Sequence, residues 1–275
     1  MKTGARSPWV YLPVLILLAI TVVPFFWMIV SSFKSLAELY SMPITWLPKV
    51  TTWANYKKVL FDSNIPRYFW NSTVVSLGST IIALIFATPA AYGFSRFEFK
   101  GRGVWQTLIL MSHLLPSAAL IVPLYIFLGY LNLLNTLVGL ILVYLVLTLP
   151  LSIWMLTGYF KSIPVELEEA AIIDGASRWG VLFRIMLPLS LPGIVVIFLY
   201  SFVATWNEFI FALSFANDST VKTLPIGLAE FSTEYDTDWG AIMAASVIMS
   251  LPIAAIFLGL QKVFVGGMMS GAMKG

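Results

Sequence analysis

The chain has no cysteine and a single histidine, His113, among its 275 residues. The first absence excludes disulfides, thiolate metal sites and a cysteine nucleophile, and the second leaves no histidine-rich metal constellation. Charge is also scarce: Asp, Glu, Lys and Arg together make up 11% of the chain, where soluble domains carry roughly a quarter. No "GxxxxGK[ST]" phosphate loop occurs, so nothing here cradles a nucleotide in the familiar way. The net charge of +3 is too small to suggest a nucleic-acid partner. What fills the space is apolar, at 59% of residues, and the solvent it suits is lipid.

Five windows lack Asp, Glu, Lys and Arg altogether: Ser7 to Phe33, Tyr68 to Ser95, Gly103 to Phe160, Ile185 to Asn207 and Trp239 to Gln261. A bilayer core needs about 20 apolar residues per helix, so four of these windows suit one crossing each. The third holds 58 residues and is interrupted by the turn-rich "GYLNLLN" from Gly129 to Asn135, which predicts two helices and a short hairpin. The expectation is an all-α membrane protein, one transmembrane domain over 1–275, with six spans at about 9–31, 69–94, 104–127, 137–158, 189–212 and 239–262. Lys2 and Arg6 precede the first window as they would a signal peptide. Its apolar core, however, exceeds the usual ~7–15 residues and lacks an A-x-A-like site, so a retained first helix is expected.

Lys and Arg number ten on the side shared by both termini and six on the other, which places both termini in the cytoplasm. Five of the opposing six fall in one outer segment, Phe33 to Arg67. Pro89, Pro116, Pro123, Pro150 and Pro252 lie within the expected spans, where each freed carbonyl needs a neighbour to satisfy it. Ala83, Ala87 and Ala91 repeat every four residues and predict a packing stripe in the second span. "NST" at Asn71 matches a glycosylation acceptor but abuts that span, and is taken as chance.

The polar exception in the second half is "VELEEAAIIDGASRWGVLFRIMLPLS", residues 165 to 190, in the expected cytoplasmic segment between spans four and five. Pro164 suits a first helical turn, and Glu166, Glu168 and Glu169 then lie at the positive end of the helix dipole. Gly175 suits the C-terminal cap, giving a short helix over about 164–175, and Ser177 can cap a second one running towards Leu187 and Pro188. Leu167, Ala170, Ala171 and Asp174 share one shallow face with acids at its edge, the shape of a docking knob. On the residues alone, a solvated interfacial helix is the alternative.

The string Glu169-Ala170-Ala171, three residues, Gly175, nine residues, Ile185, one residue, Leu187-Pro188 resembles the "EAA" motif of the membrane subunits of ATP-binding-cassette importers. The resemblance implies that Glu169, Ala170, Ala171, Asp174, Gly175, Ile185, Leu187 and Pro188 form a coupling element docked on an ATP-hydrolysing subunit. It also implies that this chain is not itself an enzyme and binds no cofactor, with ATP and magnesium held by two partner ATP-binding subunits. "WNEFIFAL", "TLPIGLAEF", "DWGAIMAASVIMSLP" and the terminal "GGMMSGAMKG" are similar to the carbohydrate-type branch, particularly the smaller membrane subunit of maltose-type importers.

Within that branch the resemblance implies a second, homologous membrane subunit and an extracytoplasmic sugar-binding protein as partners, a sugar as substrate, and the bacterial or archaeal cytoplasmic (inner) membrane as location. The outer segment from Ser214 to Asp238 is far longer than a typical connection of about 2–8 residues, and its Leu224, Pro225, Ile226, Gly227 and Leu228 would meet the binding protein. Gly271, Ala272, Lys274 and Gly275 would reach the interface of the ATPase pair. Apart from Lys262 at the very end of the last, the spans hold no Lys or Arg, which favours a neutral mono-, di- or oligosaccharide over glycerol phosphate or another polyol.

Asn207 and Glu208 fall inside the fifth expected span, where Glu208 is open to lining the pathway, gating it, or packing against a neighbouring helix. His113 is expected to be a satisfied bundle residue. A proton-coupled carrier using His113 and Glu208, and a non-transporting scaffold, are the competing classes; dependence on ATP separates the first, and association with an ATPase the second.

Overall fold

In lipid a helix satisfies its own backbone donors and acceptors, so long uncharged runs have few other options. The computed structural model describes residues 11–233 and 236–272, the last ten of these through their backbone alone, and the fold within them is almost wholly helical. The first elements are α1 (Tyr11–Ser32), α2 (Leu36–Leu39), α3 (Ala54–Phe61) and α4 (Ile65–Arg96). Then follow α5 (Arg102–His113), α6 (Ser117–Tyr130), α7 (Leu137–Lys161), α8 (Glu166–Ile173) and α9 (Arg178–Val181). A π-helical turn (Leu182–Met186) leads into α10 (Leu187–Leu189), α11 (Leu191–Trp206), α12 (Ile210–Phe215), α13 (Leu224–Ala229) and α14 (Trp239–Ala272).

Among the described residues, four helices are long and apolar enough to cross a bilayer: Tyr11–Ser32, Ile65–Arg96, Leu137–Lys161 and Trp239–Lys262. Two bent pairs, Arg102–His113 with Ser117–Tyr130 at 96° and Arg178–Leu189 with Leu191–Trp206 at 77°, bring the total to six if each pair is one crossing.

The bends correct two expected spans. The third, 104–127, is broken at Leu114–Pro116, because proline bars its predecessor from helical geometry and lacks the donor a continuing ladder needs. Pro116 therefore stands at the N-cap of α6, between the two helices of the bent pair. The fifth, 189–212, loses its outer end: α11 stops at Trp206, and Asn207 to Phe209 form a turn before α12. His113 closes α5 with Nδ1 buried and without a hydrogen-bond partner among the described residues. Residues 9 and 10 of the first expected span lie outside the described residues.

The chain divides into two compact units, Met1–Pro66 with Gly227–Leu251, and Arg67–Ile226 with Pro252–Gly275. In the first, the reversal after α1 is held by Asn55, whose amide donates to the carbonyls of Ser32 at 2.9 Å and Lys34 at 2.8 Å. Lys34 is buried, donates to the Thr45 carbonyl and lies 4.4 Å from the Trp27 ring. Lys58 pairs with Asp238 at 2.6 Å. Two of the five cations between Phe33 and Arg67 that weaken the charge asymmetry are thus bound into the fold.

In the second unit α4, α7 and α11 bury small and polar faces against one another. Ala83, Ala87 and Ala91 are fully buried, as their spacing predicts, and Ser152 meets Ser201 at 3.3 Å. With lipid as solvent this close packing, not expulsion of water, holds the helices together. One apolar cluster gathers Val75, Leu140, Tyr144 and Phe211; another gathers Tyr92, Leu156, Phe160, Val181 and Met186 beneath the acidic segment.

Candidate functional site

The acidic segment is built as its residues dictate. Helix α8 runs from Glu166 to Ile173, slightly inside the expected 164–175, with Glu166, Glu168 and Glu169 in its first turn. Its end is a full Schellman motif: Ala176 N–H donates to the Ala171 carbonyl at 2.9 Å and Gly175 N–H to Ile172 at 3.0 Å, with Gly175 at φ +86°. Ser177 then caps α9 by accepting from Gly180 N–H at 3.1 Å.

The three first-turn acids divide in a way their spacing does not reveal. Glu166 and Glu169 face solvent, whereas Glu168 is buried. Its carboxylate receives the Arg96 Nε–H and, at 3.0 Å, the Tyr92 hydroxyl. Arg96 also donates from Nη2 to the Ile163 carbonyl at 2.8 Å, and its side chain is 7% exposed against 3% for Glu168. Arg178 lies 5.6 Å from the Phe97 ring centroid. The end of α4 is thus gripped from three directions, and removing one member of such a buried pair typically costs about 3–5 kcal/mol.

With Glu168 turned inward, the outward surface comprises Glu169, Ala170, Asp174 and Gly175, with Ala171 half-buried behind them. Ile173, 85% exposed and one turn after Glu169, joins this surface. Nothing marked it in the sequence, since an apolar residue beside two alanines reads as core. Ile185 and Leu187 are half-buried, while Pro188 is exposed.

The long segment from Ser214 to Asp238, expected to be outer, is tied down at several points. Asn71 donates to the carbonyls of Thr220 at 3.0 Å and Lys222 at 2.9 Å, and Ser72 Oγ accepts from Leu224 N–H at 2.8 Å. Asn135, at φ 55°, accepts from Asn217 N–H at 2.7 Å. The Asp218 carboxyl lies below its usual range because it accepts from the Thr220 backbone and hydroxyl, with Arg67 and Lys222 adding attraction. The apolar run is less available than expected: Leu224, Ile226 and Gly227 are buried, and Pro225 and Leu228 keep partial exposure. Glu234 of this segment lies outside the described residues.

Glu208 belongs to the turn after α11, not to a helix. Its two carboxylate oxygens accept from Phe211 N–H at 2.8 Å and Ala212 N–H at 3.0 Å, so it caps α12, while exposed Asn207 donates to the Val203 carbonyl at 3.0 Å. That arrangement favours the structural role among the three left open. At the other end, α14 continues to Ala272, well past the expected 262, so Gly271 and Ala272 are helical; Lys274 and Gly275 lie outside the described residues.

The family described as binding-protein-dependent transport system inner membrane component matches residues 79–270. The trehalose/maltose transport system permease protein MalG of Thermococcus litoralis is 40% identical over 255 residues, covering 92% of this chain and 91% of its own. The sulfoquinovosyl glycerol transport system permease protein SmoH of Agrobacterium fabrum is 38% identical over 285 residues and 100% of each chain. A solved bacterial ABC transporter involved in the import of the acidic polysaccharide alginate superposes with TM-score 0.79 at 22% identity, covering 96% of this chain and 100% of its own.

Proposed function

The chain belongs to the family of binding-protein-dependent transport system inner membrane components, as a carbohydrate-type membrane subunit, and from that premise we propose that it couples ATP hydrolysis on partner subunits to sugar import. The observation that carries this is the solvent-facing group Glu169, Ala170, Ile173 and Asp174, held on a buried Glu168–Arg96 pair. An exposed, shallow face on a rigid mount is what a docking contact requires. One of two ATP-binding subunits, which hold ATP and magnesium, would meet this face together with Gly175, Ile185, Leu187 and Pro188. A second membrane subunit completes the pathway, and an extracytoplasmic sugar-binding protein delivers the cargo.

In this reading ATP binding favours one arrangement of the helices over another through differential contacts, and the docked helix carries that difference into the membrane. Both termini lie in the cytoplasm of a bacterial or archaeal cell. A neutral mono-, di- or oligosaccharide is the proposed cargo, supported by the confinement of Lys and Arg to the end turns of the crossings and the bent segment before Leu191, and by the 40% identity to a trehalose/maltose permease. A glycerol-bearing cargo is the second reading, favoured by the 38% identity to a sulfoquinovosyl glycerol permease. Reconstitution with the neighbouring subunits tests both. Import into vesicles should require ATP and survive collapse of the proton gradient, and competition by a panel of sugars and glycerol glycosides should rank the cargo. Import driven by the proton gradient alone would overturn the proposal.

A further inference from the structure

Helix α4 has a side-chain joint at each end, and each joint grips a segment far away in sequence. At the inner end Arg96 and Tyr92 hold Glu168 of α8, 72 and 76 positions on. At the outer end Asn71, 3% exposed, gives both amide hydrogens to the outer segment, through the carbonyls of Thr220 and Lys222, and Ser72 receives Leu224 N–H. An asparagine amide has two donors, and both are used here. Between Asn71 and Arg96 the helix is unbroken over 25 residues, about 38 Å of axis at 1.5 Å per residue.

The route out of the acidic segment towards α11 is more interrupted. Along the chain towards α11 lie the left-handed Gly175, the π-helical turn and a 77° bend before Leu191. α4 passes its single interior proline, Pro89, without ending. Its buried face is made of small groups, Ser79, Thr80, Ala83, Ala87 and Ala91, and small faces permit the limited sliding of packed helices that shear motions use.

We infer that α4 is the connecting rod of this subunit: Arg96–Glu168 and Asn71 are positioning joints through which displacement of the acidic helix reaches the outer segment around Thr220 to Leu224. The inference rests on the ATPase-docking reading above, and it supplies the physical link between two sites that a claim of coupling needs.

The absence of cysteine allows a direct test. Ser219→Cys, in the exposed part of the outer segment, provides a single thiol in the full transporter assembled with its partner subunits, and the rate of maleimide labelling is read with and without ATP and magnesium. The expected result is an ATP-dependent change in labelling rate that shrinks about tenfold or more in Glu168→Gln and in Asn71→Leu, the factor corresponding to loss of one hydrogen bond to a charged or buried group. ATP hydrolysis continues in Asn71→Leu, and the double variant is no worse than the weaker single one. Tyr92→Phe, which keeps its ring among Phe97 and Phe160, shows the same pattern more mildly and replaces Glu168→Gln if that variant does not assemble. A labelling change that persists in the variants, or none in the otherwise unaltered ATP-hydrolysing complex, would overturn the rod. Failure of the chain to associate with any ATPase would overturn the docking reading instead.

Discussion

Gly193 lies directly beneath the ring of Tyr159: a Cβ added at 193 would stand 2.4 Å from Cδ2 and 2.7 Å from Cγ. These two residues bring α11 against α7 at the foot of the acidic segment. Gly193→Ala is therefore expected to lower stability by about 1–3 kcal/mol, the usual cost of overpacking. Thermal unfolding in detergent measures it, and Tyr159→Ala in the same chain should recover part of the loss. An unchanged Tm in Gly193→Ala would show that the ring moves aside freely.

Gly175 poses the opposite case. Its φ of +86° is left-handed, yet a Cβ there would meet nothing within 4 Å. Gly175→Ala should cost about 1–2 kcal/mol through backbone conformation alone, with Gly175→Asn milder because asparagine tolerates that region. The ordering of Tm, Gly above Asn above Ala, checks the cap; equal values for Asn and Ala would contradict it.

Glu169 faces solvent at the proposed docking surface. Glu169→Lys should leave insertion and folding intact while weakening association with the ATP-binding subunit by roughly 2–5 kcal/mol, as lost docked charge contacts do. Copurification and ATP-dependent import report the two effects. The exposed Ala170→Cys should crosslink to cysteines in the ATPase cleft; a complex that assembles but never crosslinks at any cleft position would count decisively against docking.

Asp238 caps the start of α14 through Ala241 N–H at 2.9 Å and pairs with Lys58. Burial raises its carboxyl, but the bonds from Lys58 and the backbone outweigh this and leave it below the ordinary aspartate value of 3.8. The folded form therefore binds this proton less readily than the unfolded form. Its stabilisation is complete above the ordinary value and is lost as pH falls through the lower, folded one. Tm should drop more steeply at acid pH in the natural chain than in Asp238→Asn, and identical acid limbs would remove Asp238 from that role.

The crossings were legible because uncharged length is a local property, and the Schellman cap because Gly175 and Ser177 announce themselves within a few residues. What escaped was relational. Glu168 stands between two solvent-facing acids, and only its pairing with Arg96, 72 positions away, turns it inward. Asn71 resembled a chance acceptor because its partners are the carbonyls of Thr220 and Lys222, which carry no side-chain signature. Leu224 and Ile226 looked like a free apolar patch, since hydrophobicity alone does not distinguish a surface awaiting a partner from one already covered. The bend at Pro116 was present in the sequence but lost in a run that stays apolar on both sides of it.

The π-helical turn at Leu182–Met186 bears on a different matter, the tolerance of this segment to insertion and deletion. Such a turn holds one residue more than an α-helix closing the same rise, and each residue of α-helix carries about 100° of rotation. Removing one residue from this turn would rotate Leu187 and Pro188 by roughly a quarter-turn relative to α9. The nine-residue interval between Gly175 and Ile185 is then an angular setting as much as a distance, and substitutions within it should be far better tolerated than any change in its length.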